Sequence, residues 1–303
     1  MHHNFNFRDV LAASQRGAWT LEEVLPPGAK LDFSRRFMPE NLARSEAAPF
    51  LDPGESLILN QIRGHEYLAL FGLVEEFILP FVLDHARPQL SGDDHRVRAM
   101  LNFAGEEAKH IHLFKSFHSL FTDGFGTPCA TIGPPEAIAT EVLRHDPLSV
   151  ALVILMIEWM TQTHYLDSIR DDGELDPLFK SLLRHHWIEE AQHAKLDTLM
   201  VEALAEGRDE AAVDTAIDGY LEIGAFLDAG LKQQAEFNLD ALEQATGRRL
   251  SRAERETLAA QQHQALRWTY LGSGMVHPKF VASLTAISPQ VGDRIAAVAP
   301  AFS

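Results

Sequence analysis

Two pentads in this sequence carry residue types that can hold a metal ion: Glu106-Glu107-Ala108-Lys109-His110 and Glu189-Glu190-Ala191-Gln192-His193. Each contains Glu-x-x-His. On an α-helix, positions i and i+3 lie about 60° apart around the axis and roughly one turn apart along it. A carboxylate and an imidazole placed in this way can reach the same ion. Two such motifs on facing helices, with one lone Glu from each of two further helices, build a carboxylate-bridged two-metal site.

The motif alone says little, because 24 Glu and 15 His in 303 residues give about one Glu-x-x-His by chance. The spacing around the motifs says more. Glu158, in Met156-Ile157-Glu158-Trp159-Met160, stands 32 residues before Glu190. Glu75, in Leu73-Val74-Glu75-Glu76-Phe77, stands 32 before Glu107. Asp93 and Asp176, both helix-start residues, each lie 14 before their Glu. The chain therefore contains two helix pairs with one internal metric. Each pair should be antiparallel, with one Glu meeting one Glu-x-x-His at the same height. Four ionised carboxylates would balance two divalent cations, and neutral imidazoles would complete the shells. Without metal, Glu75 and Glu158 would be unpaired charges among apolar residues. Carboxylate and imidazole suit iron or manganese, and zinc is compatible.

The neighbours leave alternatives. Glu76 rivals Glu75, although the shared spacing favours Glu75. His186 precedes Glu190 by four and His193 by seven, so the three share a helix face. Spacing alone allows it to be a seventh ligand, a support for the ligands, or a core histidine. His185, Lys109, Gln192, His112 and His164 are out of phase and read as having no part in the site. Phe71 and Ile78 flank Glu75, Phe103 and Phe114 flank the Glu107/His110 pair, and Ile154 flanks Glu158. These five would line the site or simply fill the core.

Long helices must position these residues. The patterns predict helices from Ser56 to Ala86, with Pro80 kinking it or splitting off its last turns, and from Asp93 to about Asp123. A Gly/Pro loop and a short helix, Glu136 to Arg144, follow. Asp146-Pro147 and Asp176-Pro177 open two more long helices, ending near Gly173 and Gly207. Amphipathic helices are expected over roughly 210–245 and 251–270, then a tail with Pro278, Pro289 and Pro300. The expected architecture is all-α: one domain over 1–303, with an N-terminal arm (1–54) containing one short helix, a metal-binding four-helix core (55–207) and a C-terminal helical appendage (208–303).

The net charge of −17 disfavours nucleic acid and anionic membrane surfaces as partners. A single cysteine, Cys129, excludes an intrachain disulfide framework and fits a cytoplasmic location. Met1-His2-His3-Asn4 leads into a polar stretch without a secretory apolar region. The longest apolar run, Val150 to Ile157, is less than half of a membrane span and is closed by Glu158.

The set Glu75, Glu107-x-x-His110, Glu158 and His186-x-x-x-Glu190-x-x-His193 resembles the p-aminobenzoate N-oxygenase family of ferritin-like non-haem di-iron enzymes. The likeness runs from Phe37-Met38-Pro39-Glu40 to His277-Pro278. The resemblance implies that His186 is a ligand with the other six, and that the cofactor is two iron ions, or a manganese/iron pair. It also implies that the centre is reduced, binds O2 and oxygenates an arylamine nitrogen. The motif is specific for the metal site and much less so for the substrate.

A ferritin-like ferroxidase or iron-handling protein is the alternative. The arm and the helices after 207 have no role in a simple bundle but could cover a substrate pocket. A radical-generating subunit would need a tyrosine where Phe114 stands, which leaves only Tyr165. A metal-free interaction module conflicts with the buried carboxylates. No nucleotide-binding glycine fingerprint is present, so electrons should come from a separate donor. A homodimer is expected from the abundance of apolar helical surface.

Overall fold

Five of the long helices start where acidic caps place them. In the computed structural model, which describes residues 3–302, α1 (Phe7–Gly17), α2 (Leu21–Val24) and α3 (Glu40–Ala43) make up the arm's helices. The arm thus holds three short helices rather than one. α4 (Pro53–Ala86) begins before Ser56 because Asp52 and Glu55 form a capping box with Pro53 in the first turn. It runs unbroken through Pro80. The proline removes one N–H from the ladder, but burial of Phe77, Ile78, Phe81 and Val82 around it holds the helix together.

α5 (Asp94–Phe125) is capped by Asp93, and α6 (Pro135–Leu143) follows the loop. α7 (Pro147–His164) and α8 (Pro177–Ala205) start at the expected Asp-Pro pairs, each Asp accepting a backbone N–H of the first turn. A π-helical turn, Tyr165–Ile169, extends α7. α9 (Glu210–Thr246) and α10 (Arg252–Arg267) lead into a second π-turn, Trp268–Gly272, and then α11 (Ser273–Met275). The tail is helical as well: Pro278 and Pro289 open α12 (Pro278–Ile287) and α13 (Pro289–Val298), the first-turn position where a missing N–H costs nothing. Among the described residues there is no strand beyond one β-bridge, Arg36 to Leu175.

α4 packs chiefly on α5, and α7 on α8. His65 meets His118, Phe71 meets Phe114 and Glu75 meets His110, so the order along α5 reverses that along α4 and the pair is antiparallel. α7 is buried on every side from Leu148 to Gln162 because α9, α11 and α12 cover what α8 leaves. Gly274 brings α11 directly onto α7, since a Cβ there would stand 2.6 Å from the Met156 carbonyl oxygen. One apolar cluster runs from Val10 in the arm to Ala299 in the tail. No described helix is long and apolar enough to cross a membrane.

Candidate metal centre

α4 presents Glu75, α5 presents Glu107 and His110, α7 presents Glu158, and α8 presents His186, Glu190 and His193; all seven side chains are buried. Six of them form two sets whose potential ligand atoms lie within 4.8 Å of one another: Glu75, His110, His186 and Glu190, and Glu107, His110, Glu190 and His193. Glu190 joins the sets through opposite oxygens. Its Oε1 is 2.8 Å from His186 Nε2 and 3.1 Å from His110 Nδ1, while Oε2 is 3.2 Å from His193 Nδ1. Glu75 Oε1 is 3.1 Å from His186 Nε2. Glu158 belongs to neither set, but its carboxyl shares a hydrogen bond with Glu190. Glu76 instead turns to Lys115, 3.1 Å away at the surface.

Carboxylates that are not in either set fix the imidazoles. Glu106 lies 3.0 Å from His193 Nε2, and Glu189 lies 2.7 Å from His110 Nε2. An N–H on each Nε2 leaves the Nδ1 lone pairs facing inward. His193 Nδ1 then meets Glu107 Oε1 at 2.9 Å, acceptor against acceptor, and neither oxygen of Glu107 has a hydrogen-bond donor. Such a pair is repulsive unless a cation or a proton lies between. These residues therefore fit a pair of metal ions.

Protons compete for the same places. Burial by itself would depress the pKa of His110 and His193, yet the carboxylates around them push both well above the usual imidazole value. Burial, and then the charge of Glu75, pushes Glu107 up to about 7. Burial and the charge of Glu190 push Glu158 well above the carboxylate range. A metal held by either set would need those of His110, Glu107 and His193 that belong to it deprotonated, so its binding would release protons. Apparent affinity for Mn(II) should therefore rise steadily as pH climbs through about 7. Anaerobic calorimetry in buffers of different ionisation enthalpy would show the released protons, and an affinity that does not change with pH would contradict this reading.

The supporting residues went largely unread in the sequence. The first Glu of each pentad serves the histidine of the other pentad, across the bundle. Ser14 of α1 hydrogen-bonds Glu106, and Asn102 donates to Ser14 at 2.8 Å. Lys109, expected to have no part, contacts Glu189 at 2.5 Å and donates to the Trp19 carbonyl at 3.0 Å. Trp19 stacks on His110 at 5.7 Å. Glu189→Ala should thus weaken metal binding about 10- to 100-fold although Glu189 is in neither set, with a smaller loss for Lys109→Ala. Metal titration of the two variants checks this, and wild-type affinity in both would refute it. Asp197, one turn beyond His193, is a further buried carboxyl with no hydrogen bond to either oxygen.

Of the five lining candidates, three touch the imidazoles. Phe103 stacks on His193 at 4.0 Å, and Phe114 and Phe71 meet His186 edge-on at 5.1 and 5.4 Å. Ile78 and Ile154 are buried in the general core. His185 bonds back to the Ser181 carbonyl and meets the Trp19 ring at 5.8 Å, His112 is exposed, and His164 sits between Tyr67 and Ser273.

A family model described as p-aminobenzoate N-oxygenase AurF matches residues 67–271, a span that contains every residue of both sets. Two solved structures of R2-like ligand-binding oxidase variants share the fold. One, with an aerobically reconstituted Fe/Fe cofactor, is 13% identical at a TM-score of 0.50, covering 88% of this chain and 98% of that one. The other, with an anaerobically reconstituted Mn/Fe cofactor, is 12% identical at a TM-score of 0.50, covering 92% and 98%. No curated protein matches.

Proposed function

The chain belongs to the p-aminobenzoate N-oxygenase AurF family of O2-dependent di-metal oxidoreductases, and from that premise we propose that it oxygenates the amine nitrogen of a small arylamine at a two-iron centre. The observation that carries the proposal is the pair of buried carboxylate/imidazole sets joined by Glu190. Glu75, Glu107, His110, Glu158, His186, Glu190 and His193 are the proposed ligands. Glu158 enters through its hydrogen bond to Glu190 and its place as the sole acidic residue of α7. Iron or manganese suits these donors, and R2-like oxidases of the same fold carry Fe/Fe or Mn/Fe.

Bound iron would supply the electrons and the binding place for O2. In the net reaction an amine N–H becomes N–OH with one oxygen atom, and the other oxygen leaves as water. That balance takes two electrons, returned to the iron by a separate reductant protein, and two protons from solvent per N–H hydroxylated. The chain's own residues prepare the place. Glu106 and Glu189 hold the imidazole tautomers, and Phe71, Phe103 and Phe114 keep water from the imidazoles. The arm (1–54), core (55–207) and appendage (208–303) are proposed to form one domain, a reading supported by the apolar cluster that spans all three.

The test is iron content per chain, followed by anaerobic reduction and mixing with O2 in the presence of arylamines. Two irons, with O2 consumption coupled to hydroxylamine formation, would support the proposal. Iron oxidation without product from any arylamine would replace it with the ferroxidase reading.

A further inference from the structure

A narrow cleft opens beside the metal centre, walled by α4, α7, α9 and the second π-turn, with Leu70, Val74, Met160, Leu227 and Leu231 among its lining. Phe71 stands between it and the centre. Val74 and Ile157 in its wall directly precede Glu75 and Glu158, and Phe71 both lines the cleft and packs T-shaped against His186 at 5.4 Å. Tyr270 packs directly on Phe71 in its wall, ring centroids 6.3 Å apart and tilted by 52°, so one side of the cleft is aromatic.

The charge of the cleft decides what enters it. Among the described residues, no Lys, Arg or His lines it. Its one polar side chain, Tyr270, already donates its hydroxyl to Glu66 Oε1 at 2.6 Å. Arg63 is buried and paired with the same Glu66. A carboxylate placed in the cleft would lose its hydration and find no donor in return.

We propose that the cleft is the substrate site and that it takes an uncharged, apolar arylamine, excluding anionic rings such as p-aminobenzoate itself. This rests on the oxygenase reading above. The cleft as it stands has an open volume of only about 40 Å³, less than an aromatic ring fills, so a ring would enter by displacing the buried Met160 side chain and the half-buried Leu227. The family's named substrate and this chain's substrate therefore differ in charge at the end of the ring remote from the amine.

The experiment titrates iron-loaded protein with p-toluidine and with p-aminobenzoate by calorimetry, and measures iron content and O2 consumption on the same samples. p-Toluidine should bind at least about tenfold more tightly. Leu227→Lys, at a half-buried position that can hold a cation, should narrow or reverse that ratio. Leu231→Trp should abolish p-toluidine binding by filling the cleft, with circular dichroism checking the fold. Equal binding of the two ligands to wild type, or no change of ratio in Leu227→Lys, would overturn the proposal. So would iron-loaded, O2-consuming protein that binds neither ligand, and that outcome leaves the oxygenase reading standing. Protein that takes up no iron would overturn both.

Discussion

Glu190→Ala is expected to reduce metal content from two ions per chain to none. Glu190 is the one carboxylate with an oxygen in each direction: Oε1 faces His186 and His110, Oε2 faces His193. Its removal takes a donor from both sets at once and leaves Glu158 without its hydrogen-bond partner. Burial would raise its pKa, but His186 and His193 hold it well below the usual carboxylate range, so it is the group most ready to meet a cation. Glu107→Ala should also lose metal, because it removes the carboxylate facing His193 Nδ1. Glu76→Ala is the matched control. It alters the adjacent residue on α4 but only a surface pair with Lys115, and should keep both ions. Elemental analysis after iron reconstitution, with helicity checked by circular dichroism, reads all three. Full metal content in Glu190→Ala would remove the basis for a bridged centre.

The parts of this site that were legible in the sequence are those a helix converts directly from spacing to position. A 32-residue separation repeated in two helix pairs puts Glu75 at the height of His110 and Glu158 at that of Glu190, although Glu75 groups with Glu190 and not with Glu107. Asp-Pro fixes where α7 and α8 begin. Partners that act across the bundle were not legible. Glu106 and Glu189 serve the opposite histidines, which depends on how α5 faces α8, although the doubled Glu in both pentads was a signal. Lys109 is out of phase on its own helix and still reaches Glu189 on the other. Asp197 could have been found, since it continues the face His186, Glu190, His193 by one more turn. The arm failed for another reason. Helices as short as α2 and α3 have too few residues to show a period, so prolines dominate the local pattern, and the contribution of Ser14 and Trp19 to the centre was hidden.

The second large effect concerns the tie between the bundle and its C-terminal helices. Arg63 and Glu66, adjacent on α4, are both buried and paired with each other. Burial raises the pKa of Glu66, opposed first by the charge of Arg63 and then by hydrogen bonds from Tyr270 and Asn238. Asn238 of α9 donates to Glu66 at 3.2 Å, and Tyr270 of the second π-turn donates at 2.6 Å. One carboxylate therefore joins α4, α9 and the wall of the cleft. Glu66→Ala would leave a guanidinium buried without its partner, at a cost of about 3–5 kcal/mol. The double change Arg63→Met/Glu66→Leu removes both charges and should recover part of that loss. The recovery stays partial because Tyr270 and Asn238 lose an acceptor, a cost of about 1–3 kcal/mol for each buried group left unsatisfied. Urea unfolding of the metal-loaded chain measures the series. A double variant less stable than Glu66→Ala alone would show that Arg63 stabilises the fold through its contacts with other groups, such as the Leu42 carbonyl, and not through Glu66.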